Sequence, residues 1–176
     1  MKKQIITLAL TLLLATSVVA GTLAMYTTSI DNLSEGSVVA KEFILSKGGT
    51  DTFTQNVKLA PGESEEWQFS VRNYDGNVIS ETAMDLDFRI DVTSANGKKT
   101  ITPLVVSVKS SDGEILGTVA ANGTIAFDDE FSLNNVGQEK TYTVSVVWPG
   151  NDNADINYAG SEYGTAVKVS VTGVQK

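Results

Sequence analysis

The chain has 176 residues, no cysteine, no histidine and a formal net charge of −8. Without cysteine and histidine there are no disulfides, thiolate metal sites, cysteine nucleophiles, Ser-His-Asp triads or His-Glu-x-x-His zinc proteases. An acidic surface without clustered Lys and Arg repels phosphate backbones, so no nucleic-acid partner is expected.

The first element in chain order reads as an export signal. Lys2 and Lys3 precede an uncharged, mostly apolar run over residues 5–20, and Gly21-Thr22-Leu23-Ala24 follows. Thr22 and Ala24 are small enough for a signal peptidase, so cleavage is expected between Ala24 and Met25. The alternative is a membrane anchor, since roughly 18 to 20 apolar residues span a bilayer. Against it, the run is short and no basic cluster follows to stop transfer. Removing 24 residues leaves 152, with 11 basic against 21 acidic side chains. The mature protein is therefore expected to be secreted, strongly acidic and free of the membrane. One domain of this length buries roughly 68–70% of its unfolded surface, so it builds a core without staples.

Residues 25–36 follow as an extended N-terminal segment, and residues 37–176 as one all-β domain. Beyond the signal the hydrophobic period is two. Met84, Leu86, Phe88, Ile90 and Val92 alternate with four charged residues, so a strand here buries one face and wets the other. The same alternation places Trp67 and Phe69, then Tyr142, Val144, Val146 and Trp148, then Val169, on buried faces. Shorter strands are expected over residues 40–45, 50–57, 101–108, 114–119 and 124–127. Residues 63–66 and 79–84 each suit a single helical turn. Ala60-Pro61-Gly62 suits a type II turn, and Asp75-Gly76, Asn96-Gly97, Asp112-Gly113 and Asn122-Gly123 mark further turns. Many short alternating strands separated by turns indicate an antiparallel, jelly-roll-like β-sandwich.

With histidine and cysteine absent, the candidates for acid–base chemistry are paired carboxylates, at Asp128-Asp129-Glu130 and at Asp152 with Asp155. Both clusters read as solvated loops, so no catalytic residues and no enzyme activity are expected. No cofactor is expected either. The one alternative is structural calcium at Asn151-Asp152-Asn153-Ala154-Asp155 with Glu162, and Ile156 in place of the loop glycine argues against it. Trp67, Phe69, Phe88, Tyr142 and Trp148 are in register with buried strand faces, so the exposed aromatic pair expected for sugar stacking is Tyr158 with Tyr163, in the Gly-rich segment before the last strand.

Ala20-Gly21-Thr22-Leu23-Ala24-Met25-Tyr26-Thr27 resembles the Gly-Thr-x-Ala-aromatic exit cut by SipW-type signal peptidases. Leu59-Ala60-Pro61-Gly62-Glu63, Phe69-Ser70-Val71-Arg72-Asn73 and Val147-Trp148-Pro149-Gly150 extend the likeness along the chain. Together they resemble the TasA/camelysin group of secreted matrix proteins, in particular its BsaA-type biofilm members from Gram-positive bacteria. The resemblance implies a jelly-roll subunit of extracellular fibres that polymerises by donor-strand exchange. Its partners would be further copies of itself, accessory matrix subunits, and a SipW-type peptidase during export. The protease label carried by camelysin-like members is not transferred, because no histidine matches it. The donor strand would be residues 25–33, with Met25 at the freed end and Tyr26, Thr28 and Ile30 on one face, Leu33 closing the segment. This stretch is rich in β-branched residues and lacks proline and glycine, as an added strand requires. The competing reading is a monomeric secreted adhesin or carbohydrate-binding β-sandwich.

Overall fold

The computed structural model describes residues 40–150, 155–158 and 160–176. The expected signal peptide, the Ala24–Met25 cleavage point and the donor segment lie outside the described residues. Among the described residues ten strands run in chain order: β1 Ser46–Asp51, β2 Ser64–Arg72, β3 Tyr74–Asp75, β4 Val78–Ile79, β5 Met84–Ser94, β6 Val105–Ser110, β7 Ile115–Ala120, β8 Gly123–Phe131, β9 Glu139–Val147 and β10 Thr165–Gln175. A five-stranded sheet has the order β1-β2-β9-β6-β7, a three-stranded sheet the order β10-β5-β8, and β3-β4 forms a hairpin. All strand pairings are antiparallel. Most connections cross from one main sheet to the other, giving a jelly-roll-like all-β sandwich.

Alternation is what makes this fold. Met84, Leu86, Ile90 and Val92 are fully buried and Phe88 is 2% exposed, while Asp87 and Arg89 between them face water. Facing them across the sandwich are Phe69, Tyr142, Val144, Val146 and Trp148, all buried. Phe88 stacks on Phe127 at 4.7 Å and meets Tyr142 at 4.7 Å and Phe69 at 6.2 Å. Such offset and tilted ring pairs add to the area they bury. Pro61 and Gly62 reverse the chain ahead of β2. The Glu63 amide donates to the Ala60 carbonyl at 3.0 Å, and Gly62 takes φ 85°, the geometry of a type II turn.

Several sequence expectations are corrected. Residues 40–45 and 52–57 form no strand; the strand between them is Ser46–Asp51. Residues 64–66 begin β2 rather than a helical turn, and residues 79–84 contain no helix; the one helical turn described is the 3-10 segment Asp155–Tyr158. Trp67 and Val169 are half-buried rather than core. Trp67 lies in β2 and Val169 in β10, strands at or next to a sheet edge, where fewer neighbours cover a side chain.

Two ends of the sandwich can be named from the register. Arg72 pairs with Glu139, and Met84 pairs with both Phe131 and Gln175, so these strand ends gather at one end. Ser64 with Val147 and Thr165 with Ser94 mark the other.

Candidate functional site

A sheet edge is a row of unpaired main-chain donors and acceptors, and proteins normally blunt it. Three of the four outer strands here are blunted. β1 has six residues, Ser-Lys-Gly-Gly-Thr-Asp, with no apolar side chain and a register shift between Lys47 and Asp51. It is tied down by polar contacts: the Glu139 carboxylate accepts from the Gly49 amide at 2.7 Å, and Ser70 Oγ accepts from the Thr50 amide at 2.9 Å. Gly48 is required, since a Cβ there would lie 2.0 Å from Ser70 Oγ. β7 is also six residues long, carries a register irregularity against β6, and lies beside β8. β8 points a charge inward: Asp129 accepts from Lys140 Nζ and, at 2.7 Å, from Tyr142 Oη. Short length, irregular register and an inward charge each discourage a further strand.

β10 carries none of these devices. It runs eleven residues, Thr-Ala-Val-Lys-Val-Ser-Val-Thr-Gly-Val-Gln, with one charge, Lys168, and no proline. It pairs with β5 in unbroken register from Thr165↔Ser94 to Gln175↔Met84. Among the described residues no strand pairs with its other side. Burial changes across this last spacing of about 4.8 Å. Ile90 and Val92 are fully buried, yet their partners Val169 and Val167 are only half-buried, as is Val171 opposite Phe88. The inward side chains of β10 therefore have cover on one side only.

The sheet facing β10 adds apolar surface here. Phe53 lies 5.1 Å from the ring of Trp67, both half-buried, and Trp67 Nε1 donates to Thr54 Oγ1 at 3.3 Å. β1 and β10, the outer strands on this side, belong to different sheets and are not paired to each other. At the β10 C-terminus the gap narrows: a Cβ on Gly173 would sit 2.6 Å from Met84 Sδ and 3.0 Å from Leu45 Cδ2. Such an edge supplies main-chain hydrogen bonds along its length and an apolar floor for alternate side chains. It is suited to accept an extended peptide strand.

The polar groups expected to be loop features lie elsewhere. Asp128-Asp129-Glu130 is part of β8, not a loop. Strand alternation sends Asp129 inward to Lys140 and Tyr142 and leaves Asp128 and Glu130 outside. Burial pushes the Asp129 pKa up, but the hydrogen bonds from Lys140 and Tyr142 outweigh it and hold the carboxyl below its ordinary value. Burial first, then Asp129, push the Tyr142 phenol well above its ordinary range. The Ser70 hydroxyl, and after it the Gly49 amide, hold the Glu139 carboxyl below its usual value.

Asp155 is buried and accepts the Trp148 Nε1 proton at 2.8 Å, so it is a core partner rather than a solvated carboxylate. Asn151, Asp152 and Asn153 lie outside the described residues. Among the described residues no group of three or more acidic side chains is placed to hold a metal ion, and no helix is long and apolar enough to cross a membrane. Tyr158 and Tyr163 are half-buried and meet edge to face at 5.4 Å, with Tyr158 also bonded to Thr102.

No protein-family model and no curated protein matches the chain. Among solved structures it is similar to a mutant VP2 protein of infectious bursal disease virus in derived T=1 particles. The identity is 12%, over 78% of this chain and 32% of that one, with a TM-score of 0.23. The chain thus spans about a third of the length of that protein, and a likeness this loose says nothing of function.

Proposed function

We propose that the chain is a secreted structural subunit of extracellular biofilm-matrix fibres. Copies join head to tail as residues 25–33 of one add a strand to the β10 edge of the next. The observation that carries this reading is β10: a long, regular, nearly uncharged edge with half-buried valines, beside three edges that are each blunted. The resemblance of residues 20–27 to a SipW-type exit supports it from the other side, since cleavage there frees the β-prone segment that follows. Tyr26, Thr28 and Ile30 would face inward and cover Val167, Val169 and Val171. Contacts that run from one copy to the next without closing on themselves build filaments. The role is structural, with no catalytic residues, no cofactor and no dependence on a metal.

The test is a variant beginning at Gly36. It should remain folded and monomeric where the mature protein forms filaments under electron microscopy. Filaments of normal length from the shortened chain would overturn the reading and favour a monomeric adhesin or carbohydrate-binding module.

A further inference from the structure

The exposed apolar side chains are not spread evenly. Among the described residues Phe43, Val78, Ile115, Leu133, Val136 and Val174 are exposed at the Glu139 end of the sandwich, against Val57, Val147 and Ile156 elsewhere. The six come from the segment before β1, the β3-β4 hairpin, the start of β7, the β8–β9 connection and the last residues of β10. The hairpin and the β8–β9 connection are packed to one another. The Asn73 amide donates to the Gln138 carbonyl at 3.1 Å, and a Cβ on Gly137 would lie 2.5 Å from the Tyr74 ring. Single exposed hydrophobic residues are ordinary, but a cluster at one end of a chain this acidic marks an interaction surface.

We propose that this apolar end seats on the opposite, Thr165 end of a second copy of the chain, forming a second contact in the fibre beside the donated strand. Three observations select that occupant. The first is where the rest of the chain attaches. Glu42 and Glu81 exchange hydrogen bonds, the Glu42 amide to Glu81 Oε2 at 3.1 Å and the Glu81 amide to the Glu42 carbonyl at 2.9 Å. The described chain therefore begins at the apolar end. From Leu33 to Ala40 the chain reaches at most about 25 Å, at roughly 3.3–3.6 Å per residue. A donated strand thus brings this end close to its acceptor. The second is direction. A strand added antiparallel to β10 has its C-terminal end beside Thr165, so the donor body sits over the Thr165 end. The third is chemistry. The Thr165 end offers Leu133 and Val136 an apolar counterpart in Ile156, which is 79% exposed.

The direction of this contact rests on strand donation, and the test separates the two ideas. In the mature chain, Leu133→Ser with Val136→Ser should raise the critical concentration for assembly roughly tenfold, the factor equal to about 1.4 kcal/mol. Binding of a peptide of residues 25–35, measured below that concentration, should not change. An unchanged critical concentration with intact peptide binding would overturn the end contact. If the peptide does not bind even the unsubstituted protein, strand donation fails, and a crosslink then judges the end contact alone. The chain has no cysteine, so Leu133→Cys and Ile156→Cys can be placed in separate molecules and bridged with a bismaleimide. A crosslink between unlike variants supports the contact, whereas none, or only Leu133→Cys joined to its own kind, overturns it.

Discussion

Phe88→Ala tests the sandwich where its two sheets meet. Phe88 is 2% exposed and has ring neighbours from both sheets, Phe127 in its own and Tyr142 and Phe69 in the other. Truncating a buried Phe costs about 3–5 kcal/mol, and lost ring pairs put this site in the upper part of that range. With a urea slope of about 2 kcal/mol per molar, the unfolding midpoint should fall by roughly 2 M. The paired control is Asp87→Ser, one residue away on the wet face. Asp87 stands opposite Asp128 in the β5–β8 register. Removing one of two facing like charges should leave stability within about 0.5 kcal/mol, on the stabilising side if anything. Phe88→Leu, which keeps most of the volume, should lose less than about 1.5 kcal/mol and stays measurable if the alanine variant unfolds. Equal midpoint losses for Phe88→Ala and Asp87→Ser would refute the register and the placement of the core.

Other outcomes follow from the same geometry. Intact mass of the secreted protein should match residues 25–176; a product beginning at Gly21 would refute cleavage after Ala24. Asp129 and Glu139 have lowered pKa values in the folded chain, so their contribution is present above the unfolded carboxylate range near pH ~4 and is lost as pH falls through the folded values. Urea midpoints should therefore fall on acidification, less steeply in Asp129→Asn; parallel profiles would refute the Asp129 part. Gly173→Val should destabilise by about 1–3 kcal/mol, since its Cβ would press on Met84 and Leu45; an unchanged thermal midpoint would show that space is open there. Purified protein should show no peptide hydrolysis; chelator-sensitive cleavage abolished by Asp152→Asn would refute the structural role.

How much could be read in advance depended on whether an element carries its own pattern. β5 announces itself because five inward apolar residues alternate with four charges, and its boundaries follow within two residues. β1 gives no such signal. Ser46–Asp51 has no apolar residue, and it is held by Ser70, Glu139 and Arg72, whose partners lie far along the chain. Asp128-Asp129-Glu130 reads as a wet loop because like charges usually cluster in solvent. Yet Ile125, Phe127 and Phe131 continue the strand's inward face on either side of Asp129, a cue that was present. The half-burial of Trp67 and Val169 was not legible at all. Alternation says which way a side chain points, and only strand order says whether another strand covers it. For the same reason the open β10 edge emerges from topology, not from the valines of residues 167–171.

Amide hydrogen exchange on β10 is the most direct test of strand acceptance. The chain beginning at Gly36 would be followed with and without a peptide of residues 25–35. Strand donation predicts new protection along Thr165–Gln175 on adding the peptide, and loss of that protection when the peptide carries Ile30→Asp but not Asp31→Ser. Protection confined to another edge, or none at saturating peptide, would contradict it.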